Sequence, residues 1–317
     1  MNSGCEFERR SWLARNRVTL ISAAAIVAYA VFVQWIWGWR TLLDQWTKIG
    51  VGSGLAALIL LVATYFIRCY RIYDYFPAET SGRFLALFRV TQVHNLLNIM
   101  LPFRAGETSF PLLMRSEFSI PLARGTAALL VMRLLDLHAL LTVAAVGLVF
   151  GRGSGVAWAL WIAALVAPLP FFLLKDRVVA LARRLLPARL ESIVEELDTG
   201  LPGTTKAFLR AWAMTILNWA VKVVVLAWVL AIMGVAPLAA CFGGALGGEL
   251  SSVLPMHAPA GVGTYPAAIA AGAVSFGAGA DRAALEQLAG AGVNAHLLII
   301  VSAVAGTMLS MLLQRKP

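Results

Sequence analysis

Apolar runs close to 20 residues long recur along this chain, and their length constrains the fold more than any other feature. A helix rises about 1.5 Å per residue, so roughly 20 apolar residues cross the ~30 Å hydrocarbon of a bilayer. The runs Val18–Trp37, Val51–Ile67, Thr126–Phe150, Val156–Leu174, Phe208–Gly234 and Val293–Leu313 read as about six full spans. Only 13% of residues are charged and 60% are hydrophobic, with a mean hydropathy of +0.79, whereas an ordinary soluble domain carries about 25% charged residues. The expected fold is an all-α polytopic membrane protein.

The net charge of +10 would suit nucleic acid if it formed one patch. It is instead gathered at the ends of the apolar runs, as the positive-inside rule places Lys and Arg. Arg9, Arg10, Arg15 and Arg17 precede the first run, and Arg315 and Lys316 follow the last. Both termini are therefore expected on the cytoplasmic side of a bacterial inner membrane. Trp35, Trp37 and Trp39 form an aromatic belt at the outer end of the first run. That run is too long for a signal-peptide core and lacks a convincing cleavage site, so it reads as an uncleaved span. Cys5, Cys69 and Cys241 show no ligand spacing, and neither do His94, His138, His257 and His296; no metal and no cofactor are expected.

Two segments break the pattern. Phe84 to Leu101 is apolar but interrupted by Arg89, Gln92, His94, Asn95 and Asn98, and it ends at Pro102. Pro102 removes a backbone donor and Gly106 frees the backbone, so a continuous helix is not expected here. Within a bilayer such a break is tolerated only where it is buried in protein or lines a watery cavity. Basic residues flank 84–124 on both sides, which suits a hairpin entering and leaving from the cytoplasm; two complete spans are the alternative. The second segment, 237–277, holds Gly243, Gly244, Gly247, Gly248 and Glu249, breaks at Pro255 and continues through Gly261 and Gly263. Both segments run polar residue, apolar residues, Leu-Pro, a basic or titratable side chain, then Ala-Gly. They sit in units of opposite expected orientation, the pattern of an inverted-topology repeat with discontinuous helices. The organisation expected is one membrane domain over 1–317. Its first repeat spans 51–150 with hairpin 84–124, and its second spans 208–314 with hairpin 237–277. Between them, 175–206 is a cytoplasmic amphipathic linker. Leu190, Ile193, Val194 and Leu197 lie along one helical face there, with Glu191, Glu195 and Glu196 opposite.

Three motifs, Leu101-Pro-Phe-Arg-Ala-Gly-Glu107, Arg133-Leu-Leu-Asp136 and Pro259-Ala-Gly-Val-Gly-Thr-Tyr265, resemble the lysylphosphatidylglycerol synthase transmembrane, or flippase-like, family. The resemblance covers nearly the whole chain. It implies an integral membrane domain, in some relatives fused to a cytoplasmic lipid-aminoacylating enzyme, where it moves a charged phospholipid between leaflets; archaeal relatives are associated with polyprenyl-phosphate sugars. The longest polar segment here, 175–206, is too short for such an enzyme. Asn98, Pro102, Arg104, Gly106, Glu107, Arg133, Asp136, Gly261, Gly263, Thr264 and Tyr265 match the family pattern. Phe110, Met132 and Pro266 depart from it, each standing where relatives often carry a charge.

The substrate-binding candidates are Arg104, Glu107, Asn98, Arg133, Asp136, Glu249, Gly261, Gly263 and Tyr265; no catalytic residue is assigned. Arg104 at a helix break, beside free backbone N–H groups, suits a phosphate, or it pairs with Glu107 to hold the turn. Glu107 can instead carry a proton. Arg133 and Asp136, three apart on one helix, can pair as an interhelical clamp or face a ligand. Lys222 receives no role. The function expected is a lipid flippase or lipid-binding transporter for an anionic or modified phospholipid or a polyprenyl-phosphate lipid. Two rivals stand beside it: a membrane-embedded transferase acting on a lipid phosphate, and a non-catalytic scaffold recruiting a cytoplasmic lipid-modifying enzyme.

Overall fold

The computed structural model of the chain describes residues 27–28, 30–35, 38–185, 198, 200, 202–252 and 258–313. Every regular element among them is helical. The long helices are α1 (Trp39–Tyr73), α4 (Leu122–Arg152), α8 (Thr205–Ile232) and α11 (Arg282–Leu312). Two shorter ones, α5 (Gly155–Val166) and α6 (Pro168–Leu173), follow one another across Pro168. Among the described residues, five stretches are long and apolar enough to cross a membrane: Leu42–Tyr73, Leu122–Phe150, Gly155–Leu173, Thr205–Ile232 and Arg282–Leu312. The protein is an all-α polytopic membrane protein. The first expected span, Val18–Trp37, lies mostly outside the described residues, as does the amphipathic helix at 190–197.

Between the long helices lie two hairpins of short ones. The first comprises α2 (Phe84–Met100), a 3-10 segment Pro102–Thr108 and α3 (Ser109–Phe118). The second comprises α9 (Leu238–Ser251), a 3-10 turn Pro259–Gly261 and α10 (Thr264–Ser275). At about 1.5 Å per residue, α3 reaches only ~15 Å and α10 ~18 Å, well short of the bilayer hydrocarbon. The two 3-10 segments touch each other, and α2 also touches the second one.

Helix boundaries differ from expectation at two places. Helix α1 does not stop at Ile67 but runs on to Tyr73, so Arg68 and Arg71 lie on a helix rather than in a polar connection. Their neighbours Cys69 and Ile72 are buried, which explains why the helix continues past the first charges. Helix α11 begins at Arg282, well before the apolar run that starts at Val293. Asp281 caps it, its side chain accepting from the Ala284 N–H at 3.0 Å, and Leu288 and Ala291 are already in the core.

Two large apolar cores and two small ones hold the described residues together. One joins α8, α9, α10 and α11 to Ala57 and Leu61 of α1 and Leu140 and Val143 of α4. The other gathers the first hairpin through Phe88, Phe110, Met114 and Phe118, closed by Phe76 and Met132. The pairing of α9 with α10 depends on glycine. A Cβ on Gly243 or Gly272 would overlap the carbonyl oxygen of the other, and one on Gly247 would overlap that of Ala268. Small residues allow this approach, and close backbone packing drives helix association in lipid. By contrast, only 6% of the Gly155–Leu173 window is buried, so this stretch lies on the periphery.

At one end of the bundle, ion pairs fasten helix ends together. Arg210 holds Asp74, Arg124 holds Glu79, and Glu117 accepts from Arg83 at 2.8 Å and Arg89 at 2.7 Å. At the other end the ties are neutral. Asn294 accepts from the Trp46 indole and donates to Gln45, both at 2.8 Å, and Gln287 donates to the Met233 carbonyl at 3.2 Å.

Candidate functional site

Where the two breaks meet, polar side chains from seven helices converge. They surround a cavity of about 60 Å³ lined by Arg68, Asn95, Asn98, Arg133, Lys222, Glu249, Ser252, Tyr265 and His296, with Ile99, Trp219 and Ile299 as its apolar wall. That volume holds a few waters or one compact polar group.

The first break turns so tightly that Gly106 lies on the backbone of Leu97 and Asn98, where any Cβ would collide. The hairpin arms are tied by His94 Nδ1 and Ser109 Oγ at 2.9 Å. This fold brings Glu107 to Arg133, with Oε1 2.8 Å from Nε. The separation is that of an ion pair, but Arg133 Nε is not aligned for a hydrogen bond. The side chain of Arg104 lies outside the described residues. At the second break, Ala260, Gly261 and Gly263 all take positive φ, at 53°, 69° and 72°. That left-handed run suits glycine, and it sets Tyr265 at the start of α10. There Tyr265 donates to Glu249 Oε1 at 2.8 Å and stacks on His296, with ring centroids 4.7 Å apart. Glu249 Oε2 accepts from Lys222 Nζ at 2.6 Å.

Arg133 and Asp136 do share a helix face, but neither is the other's nearest partner. Arg133 Nη1 stands 3.7 Å from Asp136 Oδ2. Asp136 Oδ1 instead accepts from Arg71 Nη1 at 2.5 Å and the Trp219 indole at 2.9 Å, while Oδ2 accepts from Arg71 Nη2 at 3.4 Å. Arg71 Nη1 also donates to Thr215. Asp136 and Arg71 are almost wholly buried, at 3% and 4% side-chain exposure, so this pair belongs to the protein interior. Trp219 links it to the cavity, because its other face carries Lys222 Nζ at 5.3 Å.

Of the candidates read from sequence, Asn98, Arg133, Glu249 and Tyr265 line the cavity. Glu107 and Asp136 stand behind Arg133, and Gly261 and Gly263 shape the second break. Arg68, Asn95, Lys222 and Trp219 also line it but were not among the candidates. Arg68 is the most consequential: Nη1 donates to Asn95 Oδ1 at 3.0 Å, and no carboxylate lies within ion-pairing distance of it among the described residues. Its signal was present as the i, i+3 pair Arg68 and Arg71 continuing an apolar helix. The departures Phe110 and Met132 prove to be neighbours of one small secondary cavity of about 20 Å³, beside Arg68, Arg71 and Asp136. Both are buried, so the two apolar replacements share one environment.

The family model for the lysylphosphatidylglycerol synthase TM region matches residues 20–313. No curated protein matches the chain, and no solved structure does. With its match running through every helix described above, the chain belongs to the lysylphosphatidylglycerol synthase transmembrane-region family.

Proposed function

We propose that this protein is a lipid flippase or lipid-binding transporter that moves an anionic phospholipid or polyprenyl-phosphate lipid between leaflets by alternating access. One observation carries the reading: two helix breaks from different halves of the chain abut beside a polar cavity in which Arg68 has no carboxylate within ion-pairing distance among the described residues. Intramembrane charge is costly and marks pathways and sites by default, and broken helices meeting near the midplane are the transporter solution to binding a polar group. The headgroup engages Arg68, with Arg104 and the backbone N–H groups of the first break as further contacts, while the acyl chains stay in lipid. The units 51–150 and 208–314 act as inverted repeats that rock about this site, with their hairpins re-entrant from opposite sides. Membership of the family supports a lipid ligand.

The test is purified protein in liposomes, following both the leaflet position and the mass of labelled lipids. An anionic lipid is expected to change leaflet without changing mass, and Arg68→Gln to slow it by roughly tenfold or more, the scale of a lost charge-assisted contact. Glu107→Gln and Glu249→Gln slow it if these carboxylates carry a coupling proton. A new covalent product from donor plus lipid, with no leaflet exchange for any lipid tested, would overturn transport in favour of a transferase. Neither exchange nor product would favour a scaffold.

A further inference from the structure

The cavity's charges are unequal. Arg68, Arg133 and Lys222 line it with a single carboxylate, Glu249. Both oxygens of that carboxylate are taken, by Lys222 at 2.6 Å and the Tyr265 hydroxyl at 2.8 Å. Arg133 leans on Glu107, so among the described side chains one positive charge, that of Arg68, stays unmatched. Its hydrogen-bond partner is the neutral Asn95 Oδ1 at 3.0 Å. Arg68 is half-buried, and Asp136 acts on it only from beyond ion-pairing distance; a partly desolvated cation without an ion pair is costly, and a single negative charge relieves it. Asn98 sits three residues beyond Asn95, on the same face of α2, and also lines the cavity; its Oδ1 is buried with no donor among the described residues. A buried acceptor calls for a donor. An ammonium would meet three cations there and find no unoccupied carboxylate, whereas a hydroxyl meets neither problem.

We infer that the cavity selects a lipid whose headgroup is a singly charged phosphodiester bearing an uncharged hydroxyl, with the phosphate on Arg68 and the hydroxyl on Asn98, and that it rejects headgroups bearing an ammonium. The inference rests on the reading above only in taking the ligand to be a lipid.

Native mass spectrometry of the purified full chain in detergent tests it. The lipid panel is phosphatidylglycerol, phosphatidylmethanol (the same charge without a hydroxyl), phosphatidylethanolamine and lysyl-phosphatidylglycerol. Glycerophosphoglycerol serves as the competitor without acyl chains. Phosphatidylglycerol is expected to bind best, with phosphatidylmethanol weaker by about tenfold for the lost hydrogen bond and both ammonium lipids weaker by roughly tenfold or more. Asn98→Ala removes the difference between the first two, and Arg68→Gln weakens both. Wild-type protein that binds either ammonium lipid as well as phosphatidylglycerol overturns the inference, with no variant needed. A hydroxyl preference that survives Asn98→Ala overturns the role of Asn98. Two outcomes strike the transport reading while leaving the headgroup chemistry standing: selective binding without leaflet exchange, and glycerophosphoglycerol bound as tightly as the lipid.

Discussion

Asp136 is the residue on which most of the buried charge converges. It meets Arg71 at 2.5 Å, the Trp219 indole at 2.9 Å and Arg133 at 3.7 Å, and it is almost fully buried. Removing one partner of a buried pair strands the other and costs about 3–5 kcal/mol. Deleting the single indole hydrogen bond to a charged group costs about 1.5–3 kcal/mol. Asp136→Asn is therefore expected to destabilise the fold more than Trp219→Phe, as read from thermal unfolding in detergent. An Asp136→Asn protein as stable as wild type would remove this cluster from the interior framework. Arg133 differs in kind from Arg71. Its side chain is 20% exposed and shared between Glu107 and Asp136, so it can shift toward a ligand at less cost than the bidentate Arg71.

At the scale of elements, the two hairpins are held by different means. The first buries aromatic and sulfur-bearing side chains, Phe88, Phe110 and Met114. The second brings backbones together through Gly243, Gly247 and Gly272. Gly247→Ala is expected to splay α9 from α10 and destabilise the protein by about 1–3 kcal/mol, the usual cost of overpacking. Gly52→Ala is the control, since a Cβ there meets nothing within 4 Å. On a helix it should be neutral or stabilising by roughly 0.5–1 kcal/mol. Equal thermal stability of the two variants would show that the close approach of α9 and α10 is dispensable. Because Glu249 and Tyr265 sit on these two helices, a splayed hairpin should also separate the carboxylate from its hydroxyl donor.

For the whole molecule, basic side chains are more numerous at one end than at the other. Arg83, Arg115, Arg124, Lys175, Lys206 and Arg210 belong to the end where α1 finishes and α8 starts. Arg40, Lys48 and Arg282 are at the other. The positive-inside rule predicts that the first end faces the cytoplasm, a topology that can be tested directly. In a background lacking native cysteines, Ser154→Cys and Glu286→Cys should react with an impermeant thiol reagent in intact cells, and Asp176→Cys should not. Labelling of Asp176→Cys under those conditions would invert or dismantle the scheme.

Sequence alone determined the class of the molecule, the first break at Pro102 and the family, because each is written in local features: apolar run length, a proline near a glycine, three short motifs; Pro255, where the second break was expected, lies outside the described residues. It also named Asn98, Arg133, Glu249 and Tyr265. Only the tertiary structure decided which charges meet. Arg71 and Asp136 are 65 residues apart, Trp219 and Asp136 are 83 apart, and Arg68 and Asn95 are 27 apart. Hydropathy cannot see such pairings, since it scores a charge by its neighbours in the chain. That is why Arg68, one residue past the end of the run Val51–Ile67, received no role from the sequence although it lines the cavity. In lipid, a helix carries its charges wherever partners on other helices can satisfy them, so the site became visible only once the breaks were folded against each other.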